Sequence, residues 1–175
     1  MEDLALTVRR ARQADAADIA RVYIEAWQDT YPALIPHSLL AAMSPERQAA
    51  RWQAAIARRD PVLVAEDPHC GVIGMTSFGR ARDRELGFDG EVYTLYVDPG
   101  FLGRGAGRAL LIASFGVLSA RRCKSCLVWA HAQNNARFFY EAMGGKLVAE
   151  RTTNLLGEPT PEAAFGWASI ANGPH

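Results

Sequence analysis

Three closely spaced glycines, Gly103, Gly105 and Gly107, stand where a strand-like segment gives way to a helical pattern. Because glycine has no Cβ atom, such residues let successive backbone N–H groups turn toward one anion. The helix that follows adds its unpaired amides and the positive end of its dipole. Arg104 and Arg108 supply positive charge in the same stretch. The spacing therefore predicts a binding site for a phosphate or diphosphate group.

Two other nucleotide-binding glycine loops fit this stretch less well. A mononucleotide P-loop ends in Gly-Lys-Ser/Thr, whereas the last glycine here is followed by Arg108. A dinucleotide-binding fingerprint places its third glycine three residues after the second, where this chain has Arg108 or Leu110, and it requires an acidic residue further on that is missing here. The alternative is that the glycines form a flexible turn before the helix and bind no ligand.

The loop resembles the GCN5-related N-acetyltransferases, the GNAT family. That family carries a valine, a proline and then Gln/Arg-x-x-Gly-x-Gly/Ala at this junction, and Val97, Pro99, Gly105 and Gly107 match the pattern. The family's Gln or Arg falls on Leu102, which removes a polar side chain but leaves the backbone amides. In a cradle made mainly of backbone amides, we expect this change to weaken cofactor binding rather than abolish it.

The resemblance implies acetyl-coenzyme A as co-substrate, with its diphosphate on the glycine loop. It also implies that backbone groups near the end of the preceding strand pair with the pantetheine arm and the thioester. The cofactor-binding residues that follow from the resemblance are Leu95, Tyr96, Val97, Leu102, Gly103, Arg104, Gly105, Ala106, Gly107, Arg108 and Asn134.

A second stretch, residues 134–145, reads NNARFFYEAMGG, and from Ala136 onward it is similar to the Ala-Arg-x-Phe-Tyr-Glu-x-x-Gly-Gly part of the family's helix, with Asn134 standing two residues before the alanine. By this resemblance Asn134 contacts the cofactor arm, and Tyr140 is the general acid that protonates the departing thiolate. Two structural alternatives stay open. Asn134 is also a favourable helix cap, and Tyr140 is also an aromatic core residue with a satisfied hydroxyl.

The base that takes the amine proton has two candidates. Glu91 opens the predicted central strand, where the family often places a glutamate that acts directly or through water. His131 lies just beyond the next strand, and its ordinary pKa is close to neutral. A solvated strand-end carboxylate and a structural histidine are the respective alternatives, and water itself remains a third base.

Aromatic residues on the first helices predict the acceptor side of the site. Trp27 and Tyr31, with Trp52 on the following helix, would face the strand edge that holds the thioester. Burial in the hydrophobic core is the alternative for all three. The acceptor is predicted to be a primary amine of a small molecule or a peptide, with Trp27, Tyr31 and Glu91 as the substrate-binding residues.

The elements that must position these residues follow from periodicity and turn signals. Apolar residues at Leu4, Leu6 and Val8 indicate a short first strand, and Asp15 is expected to cap the first helix. Ser44-Pro45 indicates the start of another helix. The further predicted strands cover 62–65, 71–78, 91–97, 127–130, 146–150 and 164–170, and the further predicted helices cover about 105–121 and the segment from Asn134 to Met143.

This order of helices, a run of strands, and then alternating strands and helices predicts an α+β or mixed-sheet α/β domain. Together with the resemblance it implies a mixed, mostly antiparallel central sheet with helices on both faces. With 175 residues, of which 49% are hydrophobic, the chain is expected to form a single domain over residues 1–175.

Composition and charge exclude several function classes. The formal net charge of +0 provides no basic field for nucleic acid or an anionic membrane. The start of the sequence lacks the features of a signal peptide, and no apolar run is long enough to span a bilayer, so we expect a cytoplasmic protein. Cys123 and Cys126 form a CxxC pair without the second Cys or His pair of a zinc site, which favours ordinary reduced thiols and no metal.

Together these features predict an N-acetyltransferase that transfers the acetyl group of acetyl-coenzyme A to a primary amine within a ternary complex. A non-catalytic acyl-coenzyme A sensor or interaction domain of the same fold is the alternative, and a homodimer is compatible with either. A serine hydrolase is excluded because no Gly-x-Ser-x-Gly elbow occurs, and a zinc hydrolase because no His-Glu-x-x-His helix occurs.

Overall fold

A seven-stranded sheet forms the framework in a computed structural model, which describes residues 6–155 and 157–171. The strands are β1 (Thr7–Arg10), β2 (Val62–Asp67), β3 (Gly71–Arg80), β4 (Gly90–Val97), β5 (Cys126–His131), β6 (Lys146–Leu155) and β7 (Glu158–Trp167). The helices are α1 (Ala16–Thr30), α2 (His37–Ala41), α3 (Pro45–Ala57), α4 (Ala106–Ala120) and α5 (Ala136–Ala142).

The strands are arranged in the order β1-β2-β3-β4-β5-β7-β6. The pairs β1–β2, β2–β3, β5–β7 and β6–β7 are antiparallel, whereas β4 and β5 are parallel. The parallel register runs from Gly90↔Cys126 to Val92↔Val128, so it involves the first three residues of each strand. The predicted mixed, mostly antiparallel sheet is confirmed.

The contacts within the chain divide it into two compact units. The first unit comprises the residues up to Ser77 together with Thr94–Ser114, and the second comprises Phe78–Tyr93 together with the described residues from Phe115 onward. Three elements, β3, β4 and α4, contribute residues to both units.

The first unit has its core between two helices and two strands. Helix α1 buries Ile19, Val22, Tyr23 and Ala26, which recur at the spacing of one helix face. Helix α3 begins as predicted, since the Ser44 hydroxyl accepts a hydrogen bond from the backbone N–H of Arg47, 3.2 Å away. These helices pack with residues of β2 and β3 in one apolar cluster.

Asp15 does not cap α1 with its side chain, contrary to expectation. Its carboxylate instead accepts hydrogen bonds from both terminal nitrogens of Arg9 and from the backbone N–H of Arg12. These hydrogen bonds lower the pKa of Asp15, and those from Arg9 have the largest effect. The short helix α2 was not predicted, and Leu40, which is buried, is its apolar anchor.

The second unit packs α5 and the end of α4 on its strands. The ring of Trp167 contacts those of Phe115 and Tyr140, with centroid distances of 5.1 Å and 6.2 Å. Its indole N–H donates to the carbonyl of Met143, 2.8 Å away. Strands β6 and β7 form a longer hairpin than predicted, because β6 continues to Leu155 and β7 begins at Glu158 rather than at Ala164.

All three cysteines are free thiols. Cys123 and Cys126 are buried, and burial raises the pKa of the Cys126 thiol. Cys70, in the turn between β2 and β3, is exposed. No group of three or more His, Cys, Asp or Glu side chains that could hold a metal ion occurs within residues 6–155 and 157–171.

None of the helices in the described part of the chain combines the length and apolar character needed to cross a bilayer. Leu4, expected in the first strand, lies outside the described residues.

Candidate functional site

The glycine loop begins with a turn organised by Asp98, directly after the end of β4. The Asp98 carboxylate accepts a hydrogen bond from the backbone N–H of Gly100 at 2.9 Å, and its carbonyl accepts one from the N–H of Phe101 at 2.8 Å. Further along, Gly103 and Gly105 adopt φ values of +75° and +87°. Only glycine reaches this region without strain, so the sequence accounts for the shape of the loop.

The backbone amides that follow have no internal partner. Among the described residues, no backbone carbonyl or side chain accepts from the N–H groups of Gly103 to Arg108, and the helical pairing begins with Ala109 donating to Gly105 at 2.9 Å. A Cβ atom built on Gly103 or Gly105 would meet nothing within 4 Å, so the loop surface beside both glycines is open. Consecutive free amides at a helix start are a typical anion-binding arrangement.

The side chains of the loop provide charge and an exposed apolar group. Arg104 and Arg108 are both exposed, and the Arg104 guanidinium lies 5.1 Å from the centroid of the Phe101 ring. Leu102 is 58% exposed although it is apolar. It stands where the resembling family has Gln or Arg, so the polar atoms of the loop are mainly its backbone amides.

The end of β4 is tied to β3 and α4 by buried hydroxyls that sequence reasoning missed. The Thr76 hydroxyl on β3 donates to the carbonyl of Thr94 at 2.9 Å and lies 3.4 Å from the Ser114 hydroxyl on α4. Both Thr76 and Ser114 are fully buried. They fix the strand segment that carries Leu95, Tyr96 and Val97. Hydroxyls in a strand and in a helix give no signal in the sequence that they will meet.

An aromatic cluster lies next to this strand end. The Trp27 ring is 4.5 Å from the Tyr31 ring and 6.5 Å from the Tyr96 ring, centroid to centroid. Tyr23 and Trp52 extend the cluster into the core, and burial raises the pKa of the Tyr23 hydroxyl. No described residue accepts from the indole N–H of Trp27 or Trp52, although both nitrogens are buried. The first unit therefore brings Trp27 and Tyr31, two of the residues predicted on the acceptor side, together with Tyr96.

Tyr140, in the second unit, is inside an aromatic cluster. Its side chain is 4% exposed, and its ring centroid is 6.0 Å from that of Phe165 and 5.3 Å from that of Phe139. Gly145 allows this packing, because a Cβ atom there would come within 2.9 Å of the Tyr140 carbonyl and 2.8 Å of the Trp167 ring. The ring of Tyr140 is thus held in one position.

Asn134 organises the start of α5. Its side-chain oxygen accepts a hydrogen bond from the N–H of Ala136 at 2.8 Å, and its own N–H donates to the carbonyl of His131 at 2.9 Å. The side chain therefore caps the helix in the manner of an Asx turn, one residue before Asn135, where the helix boundary falls.

Glu91 is buried in an ion pair. Its side chain is 1% exposed. Its carboxylate accepts hydrogen bonds from the backbone N–H of Arg82 and from two nitrogens of the Arg82 guanidinium. This hydrogen bonding raises the pKa of Arg82. The guanidinium also lies 4.6 Å from the centroid of the Tyr93 ring. A carboxylate has about four lone-pair sites, so three are occupied by Arg82.

His131 is the last residue of β5. Burial lowers its pKa. Its Nδ1 accepts a hydrogen bond from the N–H of Gln133 at 3.1 Å, which leaves the ring proton on Nε2.

The candidate residues are distributed over both units. The second unit contains Glu91, His131, Asn134 and Tyr140, while the first contains the glycine loop, the end of β4 and the aromatic cluster.

Comparison with known proteins relates this geometry to a family. The sequence model of the Acetyltransferase (GNAT) family matches residues 19–145, which include both the glycine loop and the α5 segment. The chain belongs to the GNAT family. It is 33% identical over 166 residues to YuaI of Bacillus subtilis, an uncharacterized N-acetyltransferase, and the match covers 95% of each chain.

Solved structures share the GNAT fold with this chain. One is yncA from Salmonella typhimurium, determined with its cofactor acetyl-CoA, with a TM-score of 0.69, 24% identity and coverage of 98% of each chain. Another is paia N-acetyltransferase from Thermoplasma acidophilum, in complex with coenzyme A, with a TM-score of 0.66 and 17% identity over 91% of this chain and 98% of that one.

Proposed function

We propose that this GNAT protein is an N-acetyltransferase that transfers the acetyl group of acetyl-coenzyme A to a primary amine, with residues 1–175 acting as one domain. The observation that carries the proposal is the run of free backbone amides from Gly103 to Arg108, on a loop that two left-handed glycines keep open. Relatives solved with acetyl-CoA and with coenzyme A support the choice of ligand.

The residues of the loop fit a diphosphate group. Free amides stabilise the negative oxygens, and Arg104 and Arg108 add charge from exposed positions. The backbone of Leu95, Tyr96 and Val97 would hold the pantetheine arm, and Asn134 would contact the arm from its helix start. When bound, acetyl-coenzyme A supplies an activated acyl group as a thioester.

We assign Tyr140 as the general acid, a role that the family resemblance implies. The leaving thiolate needs a proton, and a tyrosine hydroxyl in a fixed ring can donate one at a constant position. The packing of Tyr140 between Phe139 and Phe165 supports this by restricting the ring. A backbone N–H at the end of β4 would stabilise the negative oxygen that develops on the carbonyl.

For the base we favour Glu91 over His131. The Glu91 carboxylate keeps one lone-pair site on Oε2, through which it can accept the amine proton by way of water. The acceptor nitrogen of His131, in contrast, already binds the N–H of Gln133. His131 is therefore better suited to holding the turn after β5 than to removing a proton.

The acceptor is proposed to be an amine of a small molecule or a peptide, bound beside the aromatic cluster. Trp27, which is only partly buried, supports this placement because its ring lies beside that of Tyr96. Tyr31 supplies aromatic surface next to it. A non-catalytic sensor of the same fold would keep the loop without requiring an acceptor site.

Ligand binding is the first test. Acetyl-coenzyme A and coenzyme A should raise the melting temperature, because a ligand that binds only the folded state stabilises it. An unchanged melting temperature at saturating cofactor would contradict the proposed binding of acetyl-coenzyme A, and with it the proposed activity.

A screen of amine acceptors that follows thiol release then separates an enzyme from a sensor. Tyr140→Phe should lower kcat by about a hundredfold, in the range typical of general acids. Tyr93→Phe is the matched control, since it removes a hydroxyl that donates to the Arg80 carbonyl, 2.6 Å away, and should leave kcat unchanged. Equal turnover in wild type and Tyr140→Phe would remove Tyr140 from this role.

The base is tested with Glu91→Gln and His131→Gln. We expect Glu91→Gln to lower kcat/KM by about a hundredfold, with His131→Gln close to wild type. Arg82→Lys disturbs the same ion pair but retains the carboxylate. A loss in Arg82→Lys as large as that in Glu91→Gln would assign Glu91 to structure instead.

A further inference from the structure

Arg21, on α1, connects three parts of the first unit through its guanidinium. One terminal nitrogen donates to the Asp98 carboxylate at 2.8 Å and to that of Glu25 at 2.9 Å. The other donates to the backbone carbonyl of Val72 on β3 at 2.8 Å. The Arg21 side chain is 38% exposed and that of Asp98 is 16% exposed, so the contact is partly shielded from water.

Asp98 links Arg21 to the start of the glycine loop. One of its carboxylate oxygens binds Arg21, and the other accepts from the N–H of Gly100 at 2.9 Å. Its own N–H donates to the carbonyl of Ile73 at 2.8 Å, which joins the turn to β3. Both oxygens of Asp98 are therefore used, one toward α1 and one toward the loop.

The rest of the loop has few fixed contacts. Among the described residues, no side chain hydrogen-bonds to the backbone from Phe101 to Arg108, and the Arg104 guanidinium lies over a ring of the loop itself. The conformation that presents the free amides thus depends on where the chain enters the loop. Asp98 is the residue at that entry.

We propose that Arg21 is a positioning residue for the cofactor-binding loop: by holding Asp98 and the Val72 carbonyl at once, it sets the direction in which the loop amides face the diphosphate. The inference rests on the proposed binding of acetyl-coenzyme A by this loop. Arginine suits the task because its planar fork binds two acceptors at fixed angles, whereas lysine offers one point charge.

The test compares two acetyl donors with Arg21→Met. Acetyl-coenzyme A carries the diphosphate, whereas S-acetylpantetheine has the same thioester and arm without it. Arg21→Met should raise KM for acetyl-coenzyme A by about tenfold, which corresponds to about 1.4 kcal/mol, with kcat within about twofold of wild type. The kcat/KM for S-acetylpantetheine should not change. Arg21→Lys should give an intermediate KM, since it keeps the charge and loses the fork.

The control is Arg9→Met. Arg9 also binds two carboxylates in the first unit, those of Asp15 and Glu66, but neither belongs to the loop. This variant should lose stability without a change in KM for acetyl-coenzyme A. If Arg21→Met raises that KM no more than Arg9→Met does, or if it lowers kcat/KM equally for both donors, the role given to Arg21 is wrong.

The failure of this inference can be told apart from the failure of the proposed function. A wild-type protein that binds no coenzyme A overturns the proposed function. A wild-type protein that binds coenzyme A, with an unchanged Kd in Arg21→Met and Arg21→Lys by calorimetry, overturns only the role of Arg21. Should Arg21→Met fail to fold, the comparison is made with Arg21→Lys alone. A raised KM for acetyl-coenzyme A in this variant would then support the role of Arg21, and an unchanged KM would contradict it.

Discussion

Replacing Gly105 with alanine perturbs the loop where its backbone is most constrained. Gly105 has a φ of +87°, and an L-residue in the left-handed region costs roughly 1–2 kcal/mol. A Cβ atom there would meet nothing within 4 Å, so the penalty comes from backbone conformation and not from a clash. The free energy of unfolding should fall by that amount wherever the loop keeps its shape.

The penalty divides between stability and affinity in a way that can be measured. In the free protein the exposed loop can relax, and part of the cost then disappears until a ligand restores the original conformation. A penalty of one or two kcal/mol that appears wholly in binding corresponds to coenzyme A affinity lowered by a factor of about 5–30. The free energy of unfolding at saturating coenzyme A should fall by the whole penalty, which is the loss of stability in the free protein plus the loss of binding free energy.

The assay is urea denaturation of wild type and Gly105→Ala, each with and without coenzyme A, combined with calorimetric Kd values. Gly116→Ala is the matched control: Gly116 lies within α4, a Cβ atom there also meets nothing within 4 Å, and alanine should stabilise the helix by roughly 0.5–1 kcal/mol. If Gly105→Ala leaves both Kd and the stability of the complex unchanged, the left-handed glycine is not what shapes the site.

Substitutions at Leu102, Thr76 and His131 test three other features of the chain. Leu102→Arg should lower KM for acetyl-coenzyme A by up to about fivefold, the effect of one exposed ion pair, while Leu102→Met should not; steady-state kinetics at low salt decide this. Thr76→Val leaves the inward-facing Thr94 carbonyl and Ser114 hydroxyl without this partner, so urea denaturation should show a loss of about 1–3 kcal/mol. Burial lowers the pKa of His131 in the folded protein. Just below the ordinary pKa of histidine, about 6.5, this residue is therefore protonated more in the unfolded chain than in the folded one. Stability should therefore fall as pH decreases through that range, and His131→Gln should flatten the slope in denaturation curves recorded from pH 7 to pH 5.

Local signals predicted the loop and the helix that follows it. The glycines at 103 and 105 take left-handed conformations, and the apolar stripe expected over about 105–121 corresponds to α4 (Ala106–Ala120). Ser44 and Pro45 likewise gave the start of α3. These features depend on residues only a few positions apart, so a single sequence contains nearly all the information that they need.

Strand β7 was misplaced because its local chemistry opposes its tertiary pairing. Pro159 and Pro161 argue against a strand, since proline lacks the N–H that a ladder requires. In the structure both nevertheless lie in β7, opposite Asn154 and Thr152 of β6. The extent of such a hairpin is set by the whole pairing with β6, which no short window of sequence reveals.

The surroundings of the candidate catalytic residues were also beyond sequence reasoning. Glu91 was expected as a base, with a solvated strand-end carboxylate as the alternative. The alternative is wrong, because the carboxylate is buried in a pair with Arg82 from the preceding loop. The packing of Tyr140 depends on Trp167, which is distant in sequence. Roles that follow from residue type were predictable, whereas burial and pairing depend on contacts that the fold alone creates. The catalytic roles themselves stay predictions.

The distribution of thiols gives the natural protein a built-in attachment point for a reporter dye. Cys123 and Cys126 are buried, so a maleimide in the folded state should react at Cys70. Desolvation and the neighbouring Asp67 carboxylate raise the pKa of the Cys70 thiol, and the charges of Arg104 and Asp98 have smaller effects on it, so a dye there would respond to charge at the glycine loop. Fluorescence from a single modified thiol would then follow coenzyme A titrations in the unmutated sequence.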